Sequence, residues 1–199
     1  MRVPPVWPGM RVGLLGGSFN PPHAGHRHLS LTAMKRAGLD RVWWLVTPGN
    51  PLKDKTVLAP LDDRIAAARK LADHPRIDVT AFEASRGSAY TVDTLHYLTG
   101  AFAGVDFVFL IGADNLASLH RWRRWRDIAA MVPLIVVDRP GPGLSALAAP
   151  APTTLARYRL DEREAARLPR LKPPAWTFLT GPRVDLSSTQ LRAAAASAK

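Results

Sequence analysis

The chain has no cysteine among its 199 residues, and it has no long apolar run. Without thiols it can form neither a disulfide nor a thiolate metal site. No apolar stretch approaches the roughly 18 residues that a membrane-spanning helix needs. Residues 1–9 hold three prolines and one arginine, but no apolar core of signal-peptide length. We therefore expect a cytoplasmic protein that does not associate with a membrane.

The composition is that of a globular protein, with 47% hydrophobic and 22% charged residues. Its length favours a single domain over residues 1–199, with residues 1–9 as an N-terminal extension. The net charge of +11 would attract polyanions, so a nucleic-acid-binding module is one hypothesis and a solvated arginine-rich surface is another. The one local candidate for such a module, "HRWRRWRD" at residues 120–127, is short. We expect no nucleic-acid partner.

Short apolar segments alternate with longer amphipathic ones. The predicted strands are residues 12–15, 42–46, 77–79, 107–111, 134–137 and 177–179, and the predicted helices are residues 26–37, 62–71, 91–98 and 123–131. Gly38 and Gly100 are placed to end two of these helices. The alternation predicts an α/β fold, a doubly wound parallel sheet of about six strands in the Rossmann manner, with helices on both faces.

Residues 138–176 interrupt this rhythm. The segment begins with "RPGPG" after an aspartate, ends near "PRLKPP", and contains a charged stretch, residues 154–168, that we expect to be helical. A connection of this length is usually a functional loop, a lid or an oligomer contact. We predict a long loop or subdomain insertion here, and a homo-oligomer is one of the expectations.

The segment with the most chemical content is "GLLGGSFNPPHAGHRH", residues 13–28, which runs from a strand into a helix. A doubly wound sheet has its first phosphate site at such a turn. Gly16 and Gly17 let the backbone approach a ligand. His23 and His26, three residues apart, place both imidazoles on one face beside the free amides of the helix start.

Two known glycine patterns do not fit this turn. It is neither a G-x-G-x-x-G fingerprint nor a P-loop, because the Gly-Lys-Ser/Thr ending is missing. Hydride transfer and P-loop phosphoryl transfer are therefore not favoured. The alternatives are that the histidines are ordinary loop and helix residues, or that they bind a metal, although no third ligand is evident nearby.

The stretch "GGSFNPPHAGH" matches the G-G-x-F-x-P-x-H-x-G-H pattern of the nucleotidyltransferase superfamily that shares the H-x-G-H motif. Further segments resemble the bacterial nicotinate mononucleotide adenylyltransferases, in family order: "TPGNPLK" (47–53), "AYTVDTL" (89–95), "FLIGADNLASLHRW" (109–122), "VVDRPG" (136–141) and "LSSTQLR" (186–192). The resemblance implies adenylyl transfer from ATP to nicotinate mononucleotide, which gives nicotinate adenine dinucleotide and pyrophosphate in NAD biosynthesis.

The resemblance also implies roles for individual residues. The catalytic set is His23, His26 and Arg192. The ATP-binding set contains these three and Gly16, Gly17, Ser18, Phe19, Gly112, Asp114, Arg139, Ser187, Ser188 and Thr189. The substrate-binding set is Asn50, Lys53, Tyr90, Thr91, Trp122 and Arg123. Mg²⁺ is expected on the ATP phosphates, without a metal site built from protein ligands alone.

Simpler structural roles remain open for several of these residues. Ser187 or Ser188, Thr91 and Asp114 could each cap a helix, and Trp122 could be a packing residue, as we expect for Trp125. The same superfamily also includes enzymes that act on nicotinamide mononucleotide, phosphopantetheine or sugar and polyol phosphates. The "AYTVDTL" and "HRW" segments favour nicotinate mononucleotide over these substrates.

Overall fold

The computed structural model of the chain describes residues 3–48, 58–85, 90–138 and 143–181. Within these residues seven strands form one parallel sheet: β1 Arg11–Gly17, β2 Arg41–Val46, β3 Ile77–Thr80, β4 Asp106–Gly112, β5 Leu134–Val137, β6 Arg159–Leu160 and β7 Trp176–Leu179. Their order across the sheet is β3-β2-β1-β4-β5-β7-β6. The predicted doubly wound parallel sheet of about six strands is confirmed, and β6 is the strand that the sequence did not reveal.

The helices that pack on this sheet are α1 Ala24–Ala37, α2 Leu61–Ala72, α3 Phe82–Ser85, α4 Thr91–Ala101, α5 Ala113–Ser118, α6 Trp125–Met131 and α7 Pro150–Thr154. Short 3-10 segments cover Leu119–Arg121, Gly143–Ala148, Ala156–Tyr158 and Glu162–Arg170. The four predicted helices correspond to α1, α2, α4 and α6. Gly38 ends α1 in the left-handed region, with φ 63°, whereas Gly100 lies inside α4. None of the described helices is both long enough and apolar enough to cross a membrane.

Alternate side chains of each strand enter two different apolar layers. Leu14, Trp43 and Phe109 belong to the layer on one face of the sheet. Leu15, Trp44 and Leu110 belong to the layer on the other face. Since successive side chains of a strand point to opposite faces, a sheet covered on both faces needs apolar residues at nearly every position. This explains the continuous apolar runs of the sequence.

The helix predicted for residues 154–168 is wrong. Helix α7 ends at Thr154, and β6 pairs in parallel with the first half of β7. The hydroxyl of Thr177 donates to the carbonyl of Leu160 at 3.2 Å, which joins the two strands further. The carboxylate of Asp161 then accepts the N–H of Arg163 at 2.8 Å and starts the 3-10 segment Glu162–Arg170. Pairing with a distant strand therefore overrides the helical charge pattern of this segment.

Candidate active site

The glycine loop is the loop that follows Gly16 and Gly17, and it lies at the carboxyl edge of the sheet. The Gly-Ala-Asp turn, residues 112–114, lies beside it. Leu15 of β1 pairs with Leu110 of β4, and each strand ends two residues later, at Gly17 and at Gly112. On its other side β1 pairs with β2, where Gly17 is opposite Val46. Doubly wound sheets bind their ligands at this edge. The two segments in which the sequence predicts the site therefore meet at this edge of the sheet.

The two glycines of the loop meet different surroundings. A Cβ added to Gly17 would come within 3.3 Å of Cε2 of Phe19, so the packing of that ring leaves little room for a side chain. A Cβ added to Gly16 would meet nothing closer than the Phe109 ring, at 3.9 Å, and Gly16 is exposed. Packing therefore does not require glycine at position 16, whereas close approach of a ligand would.

The two histidines hold the start of α1. His23 is the N-cap residue, and its Nδ1 accepts the N–H of Gly25 at 3.2 Å. The Nδ1 of His26 accepts the N–H of His23, also at 3.2 Å. The ring centroids are 4.0 Å apart, and the ring planes make an angle of 44°. Both imidazoles therefore lie together at the helix start, as their spacing predicted.

These hydrogen bonds determine which ring nitrogen carries the proton. An Nδ1 that accepts a backbone N–H is not protonated, so the neutral ring carries its hydrogen on Nε2. The same bonds change the prediction of free amides at this helix start. The N–H groups of His23 and Gly25 donate to the rings, and the N–H of His26 donates to the carbonyl of His23 at 2.9 Å. The N–H donor of each neutral ring is therefore Nε2–H.

Phe19 packs its ring against His26 of the histidine pair. Its backbone is in the left-handed region, with φ 47°, and its ring is 1% exposed. The ring stacks on Trp44 with centroids 5.0 Å apart, and it contacts His26 at a centroid distance of 4.7 Å. The packed ring fixes the loop and the His26 imidazole. The predicted ATP contact of Phe19 stays a prediction, and it would have to use the backbone.

Two residues of the predicted substrate set, Tyr90 and Arg123, are in contact. The guanidinium carbon of Arg123 is 4.6 Å from the centroid of the Tyr90 ring, and this contact joins the start of α4 to the turn before α6 that also holds Trp122. Thr91 is the first residue of α4, and Tyr90, not Thr91, is its N-cap. Trp122 is half-buried and contacts Phe109 at a centroid distance of 6.2 Å. Tyr90 and Arg123 therefore lie together, and Trp122, the neighbour of Arg123 in the chain, contacts β4.

Asp114 is the second residue of α5, and its side chain is exposed. Helix α5 has Gly112 as N-cap and no side-chain cap, so the alternative role of Asp114 as a helix cap is not observed. The core-facing position expected for Trp125 is confirmed, because this residue is buried. The predicted contact of Asp114 with ATP stays a prediction.

Several predicted site residues lie outside the described residues: Asn50, Lys53, Arg139, Ser187, Ser188, Thr189 and Arg192. Their assigned roles remain predictions. Over residues 3–48, 58–85, 90–138 and 143–181, no three histidine, aspartate or glutamate side chains converge to hold a metal ion.

Sequence reasoning missed Arg64, a buried arginine at the same edge of the sheet. It is 4% exposed, and its guanidinium donates to the backbone carbonyls of Ser18 and Thr47 at 2.8 Å each. A signal was present in the sequence. Arg64 occupies the same face of α2 as Ala68 and Ala72, at a spacing of four residues, so it is a charge within an otherwise apolar stripe.

Sequence reasoning also missed a buried acid, Glu83 of α3, which is 7% exposed. The hydroxyl of Thr94 donates to its Oε1 at 2.5 Å. Burial raises the pKa of Glu83 to about 7, and the hydrogen bond from Thr94 partly opposes this rise. The pair connects α3 to the first turn of α4, which also carries Thr91.

Comparisons with known proteins show which family the chain belongs to. The model of the cytidylyltransferase-like family matches residues 14–194. A probable nicotinate-nucleotide adenylyltransferase of Bradyrhizobium sp. (strain BTAi1) is 57% identical over 92% of this chain and 95% of its own length. A protein of the same name from Rhizobium meliloti is 53% identical over 93% of this chain and 98% of its own.

The fold is also similar to that of a solved structure. The Plasmodium falciparum nicotinic acid mononucleotide adenylyltransferase complexed with NaAD superposes with a TM-score of 0.69, at 15% identity, over 92% of this chain and 83% of that one. At this identity the likeness concerns the fold, and it agrees with the parallel sheet described above.

Proposed function

Because the chain belongs to the cytidylyltransferase-like family, and within it to the nicotinate-nucleotide adenylyltransferases, we propose that it transfers the adenylyl group of ATP to nicotinate mononucleotide. The products are nicotinate adenine dinucleotide and pyrophosphate, and the reaction is a step of NAD biosynthesis. The structural observation that carries this proposal is the pair of imidazoles, 4.0 Å apart, beside the exposed Gly16 at the carboxyl edge of the sheet.

The reaction needs no nucleophile from the protein. A phosphate oxygen of nicotinate mononucleotide attacks the α-phosphorus of ATP in line, and a new P–O bond forms. The bond between the α-phosphorus and the oxygen that bridges to the β-phosphorus breaks, and pyrophosphate leaves with that oxygen. Catalysis then consists of alignment and of stabilising the charge that develops on the phosphate oxygens.

The histidines are suited to this task. Since each Nδ1 accepts a backbone N–H, each neutral ring has a fixed Nε2–H donor. We assign these two donors to the α-phosphate and its bridging oxygen, in the positive field of the start of α1. The α- and β-phosphates would reach the edge of the sheet over the exposed Gly16.

The other ATP contacts that we propose are those implied by the family resemblance. Asp114 would hold the ribose, Arg139 would lie near the adenine, and Ser187, Ser188, Thr189 and Arg192 would bind the β- and γ-phosphates. Mg²⁺ enters the site as part of the MgATP substrate, bound mainly by phosphate oxygens and water.

The nicotinate ring belongs beside Tyr90 and Trp122. Trp122 would stack on the pyridine ring, and Thr91 with nearby backbone amides would receive the carboxylate. Arg123, held above the Tyr90 ring, brings a cation to the same surface. A site built for a carboxylate would leave its donors unmatched against an amide, which favours nicotinate over nicotinamide mononucleotide.

The test is pyrophosphate release from MgATP, with nicotinate and nicotinamide mononucleotide measured side by side. We expect fast release with the acid and little with the amide. Equal rates would refute the substrate assignment and keep the enzyme class. Release only with another phosphate ester, such as phosphopantetheine or a sugar phosphate, would place the protein in a different branch of the superfamily.

A pair of variants separates the catalytic role of His23 from its capping role. His23→Asn keeps a side-chain oxygen that can cap α1, because asparagine is among the best N-cap residues, but it removes the imidazole N–H. We expect kcat to fall about a hundred- to a thousandfold, the usual effect of one lost oxyanion donor. His28→Ala, in the same helix, is the control and should retain activity. Full activity of His23→Asn would refute the assigned role.

A further inference from the structure

The guanidinium of Arg64 joins three separate segments at the carboxyl edge of the sheet. Its Nη1 donates to the carbonyls of Ser18 and Thr47, at 2.8 Å each. Its Nη2 donates to the carbonyl of Pro48 at 3.4 Å, and its Nε donates to that of Ala59 at 2.9 Å. The acceptors belong to the loop after β1, to the loop after β2 and to the chain that enters α2.

This buried cation is held by carbonyl dipoles. Over the described ranges no carboxylate forms an ion pair with Arg64, and burial lowers its pKa. Burial of a charge without a countercharge is unfavourable for stability. The same face of α2 otherwise carries Ala68 and Ala72, and an apolar residue would continue that stripe without this cost. Stability alone therefore does not account for an arginine at this position.

Arg64 joins the loop after β1, which carries the proposed phosphate site, to the start of the loop after β2. The loop after β1 leads from Ser18 to the histidines, and Thr47 and Pro48 begin the loop after β2. The loops already touch, since the N–H of Thr47 donates to the carbonyl of Gly17 at 3.0 Å. The Nε and Nη1 hydrogens of Arg64 are all engaged by carbonyls. Arg64 therefore acts on the loops and not on a substrate.

We propose that Arg64 is a positioning residue that holds the loop after β2 against the glycine loop, so that the phosphates of the two substrates are aligned. This inference rests on the proposed function. The loop after β1 has further supports, which are the stack of Phe19 on Trp44 and the capping bonds of His23. At the start of the loop after β2, Arg64 donates to the carbonyls of both Thr47 and Pro48. Loss of the guanidinium should therefore displace the start of the loop after β2 more than the loop after β1.

The experiment replaces the guanidinium fork by a single ammonium group. Arg64→Lys retains the charge but cannot donate to carbonyls in several directions at once. We expect the KM for nicotinate mononucleotide to rise at least about tenfold, the effect of one lost charge-assisted hydrogen bond, and the KM for ATP to change less. The second variant is Arg64→Gln, which buries no charge and serves as the test if the lysine variant folds poorly. It should show the same rise in the KM for nicotinate mononucleotide and the same smaller change in the KM for ATP.

The matched control is Arg41→Lys. Arg41 is the first residue of β2, at the opposite end of the strand from the loop that begins at Thr47. Arg41 donates to the Asp78 carboxylate at 2.6 Å and to the Pro75 carbonyl at 3.1 Å. Its replacement should lower the melting temperature and leave both KM values unchanged. If the Arg64 variants behave like this control, Arg64 has only a structural role and the proposal is overturned.

A second readout does not depend on turnover. The amide hydrogen of Thr47, bonded to Gly17, should exchange with solvent at least about tenfold faster in Arg64→Lys than in the wild type, because an anchor of the loop is lost. It should be unchanged in Arg41→Lys. Unchanged exchange in the Arg64 variant would overturn the proposal. If the wild type does not use nicotinate mononucleotide, the proposed function fails, while this exchange rate still decides whether Arg64 holds the loops together.

Discussion

Replacing Glu83 with glutamine should remove a pH-dependent loss of stability that the wild-type protein carries. The carboxyl group is buried in the short helix α3, and the hydroxyl of Thr94 donates to it at 2.5 Å. Burial raises the pKa of Glu83 from its ordinary value of 4.5 to about 7. Glutamine has the same shape as the protonated acid, and its amide oxygen can accept the same hydrogen bond from Thr94.

The sign and the size of the effect follow from the raised pKa. The folded protein binds this proton more tightly than the unfolded chain, so stability falls as pH rises. Below pH 4.5 the acid is protonated in both states, and above about pH 7 it is ionised in both. At roughly 1.4 kcal/mol per pKa unit, the wild type should lose about 3 kcal/mol relative to Glu83→Gln between these limits.

The assay is urea unfolding of both proteins at pH 5 and pH 8, followed by tryptophan fluorescence. The difference in their free energies of unfolding should change by about 2.5 kcal/mol between the two pH values, in favour of the glutamine variant at pH 8, because at pH 5 the acid of the unfolded chain is already partly ionised. A pH-independent difference would refute the reasoning, because it would mean that Glu83 titrates alike in the folded and unfolded chains.

Glu162→Gln is the control of opposite sign. The N–H of Thr180 donates to the Glu162 carboxylate at 2.8 Å, and Arg36 lies beside it. These contacts lower the pKa of Glu162, chiefly through the Thr180 N–H. Its contribution to stability is therefore present above pH 4.5 and lost as pH falls further. The two variants should thus differ from the wild type in different pH ranges and with opposite slopes.

Three further variants test the sheet and its edge. Gly16→Ala should unfold at the temperature of the wild type, because its methyl group has room beside the Phe109 ring. It should lose adenylyl transfer, because the methyl group would occupy the space proposed for the ATP phosphates. Unchanged activity would contradict the assigned contact. Gly13→Ala should be destabilised by about 1–3 kcal/mol in thermal unfolding, because its Cβ would come within 2.8 Å of Cδ1 of Leu110. Asp40 accepts the backbone and guanidinium N–H groups of Arg11, which lower its pKa. Asp40→Asn should cost at most about 1 kcal/mol at pH 7, for a half-exposed pair, and urea unfolding should show that the cost disappears as pH falls through the lowered pKa.

The parts of the fold that were predictable have local signals. Strands β1, β2 and β4 are short apolar runs because both faces of the sheet are covered. The start of α1 was predictable because glycines, prolines and two histidines stand together in the chain. Strand β6 was not, since Arg159–Leu160 has no apolar run and is a strand only through its pairing with Trp176–Leu179.

The candidate site also has features that the sequence predicts and features that only the fold creates. The histidine pair has a spacing that places both rings at one helix end, and the resemblance of the motif to a known superfamily added its expected chemistry. That the ring nitrogens accept backbone N–H groups was not predictable, because it depends on the χ angles of packed rings. The proximity of Arg123 to Tyr90 was also hidden, since Tyr90 precedes α4 and Arg123 lies in the turn before α6, and the two meet only in the folded chain.

The sequence by itself determined the alternation of strands and helices and the edge of the sheet at which the glycine and histidine segment lies, because hydrophobic periodicity and turn residues act over a few neighbours. Only the tertiary structure decided which side chains support that edge. Arg64 meets Ser18, Thr47 and Pro48 because three strand and helix ends converge there, and Glu83 acquires its raised pKa because burial removes water from around it. Both effects arise from groups distant in sequence. The apolar stripe of α2 marks Arg64 as an unusual charge, but it does not show which carbonyls the guanidinium meets.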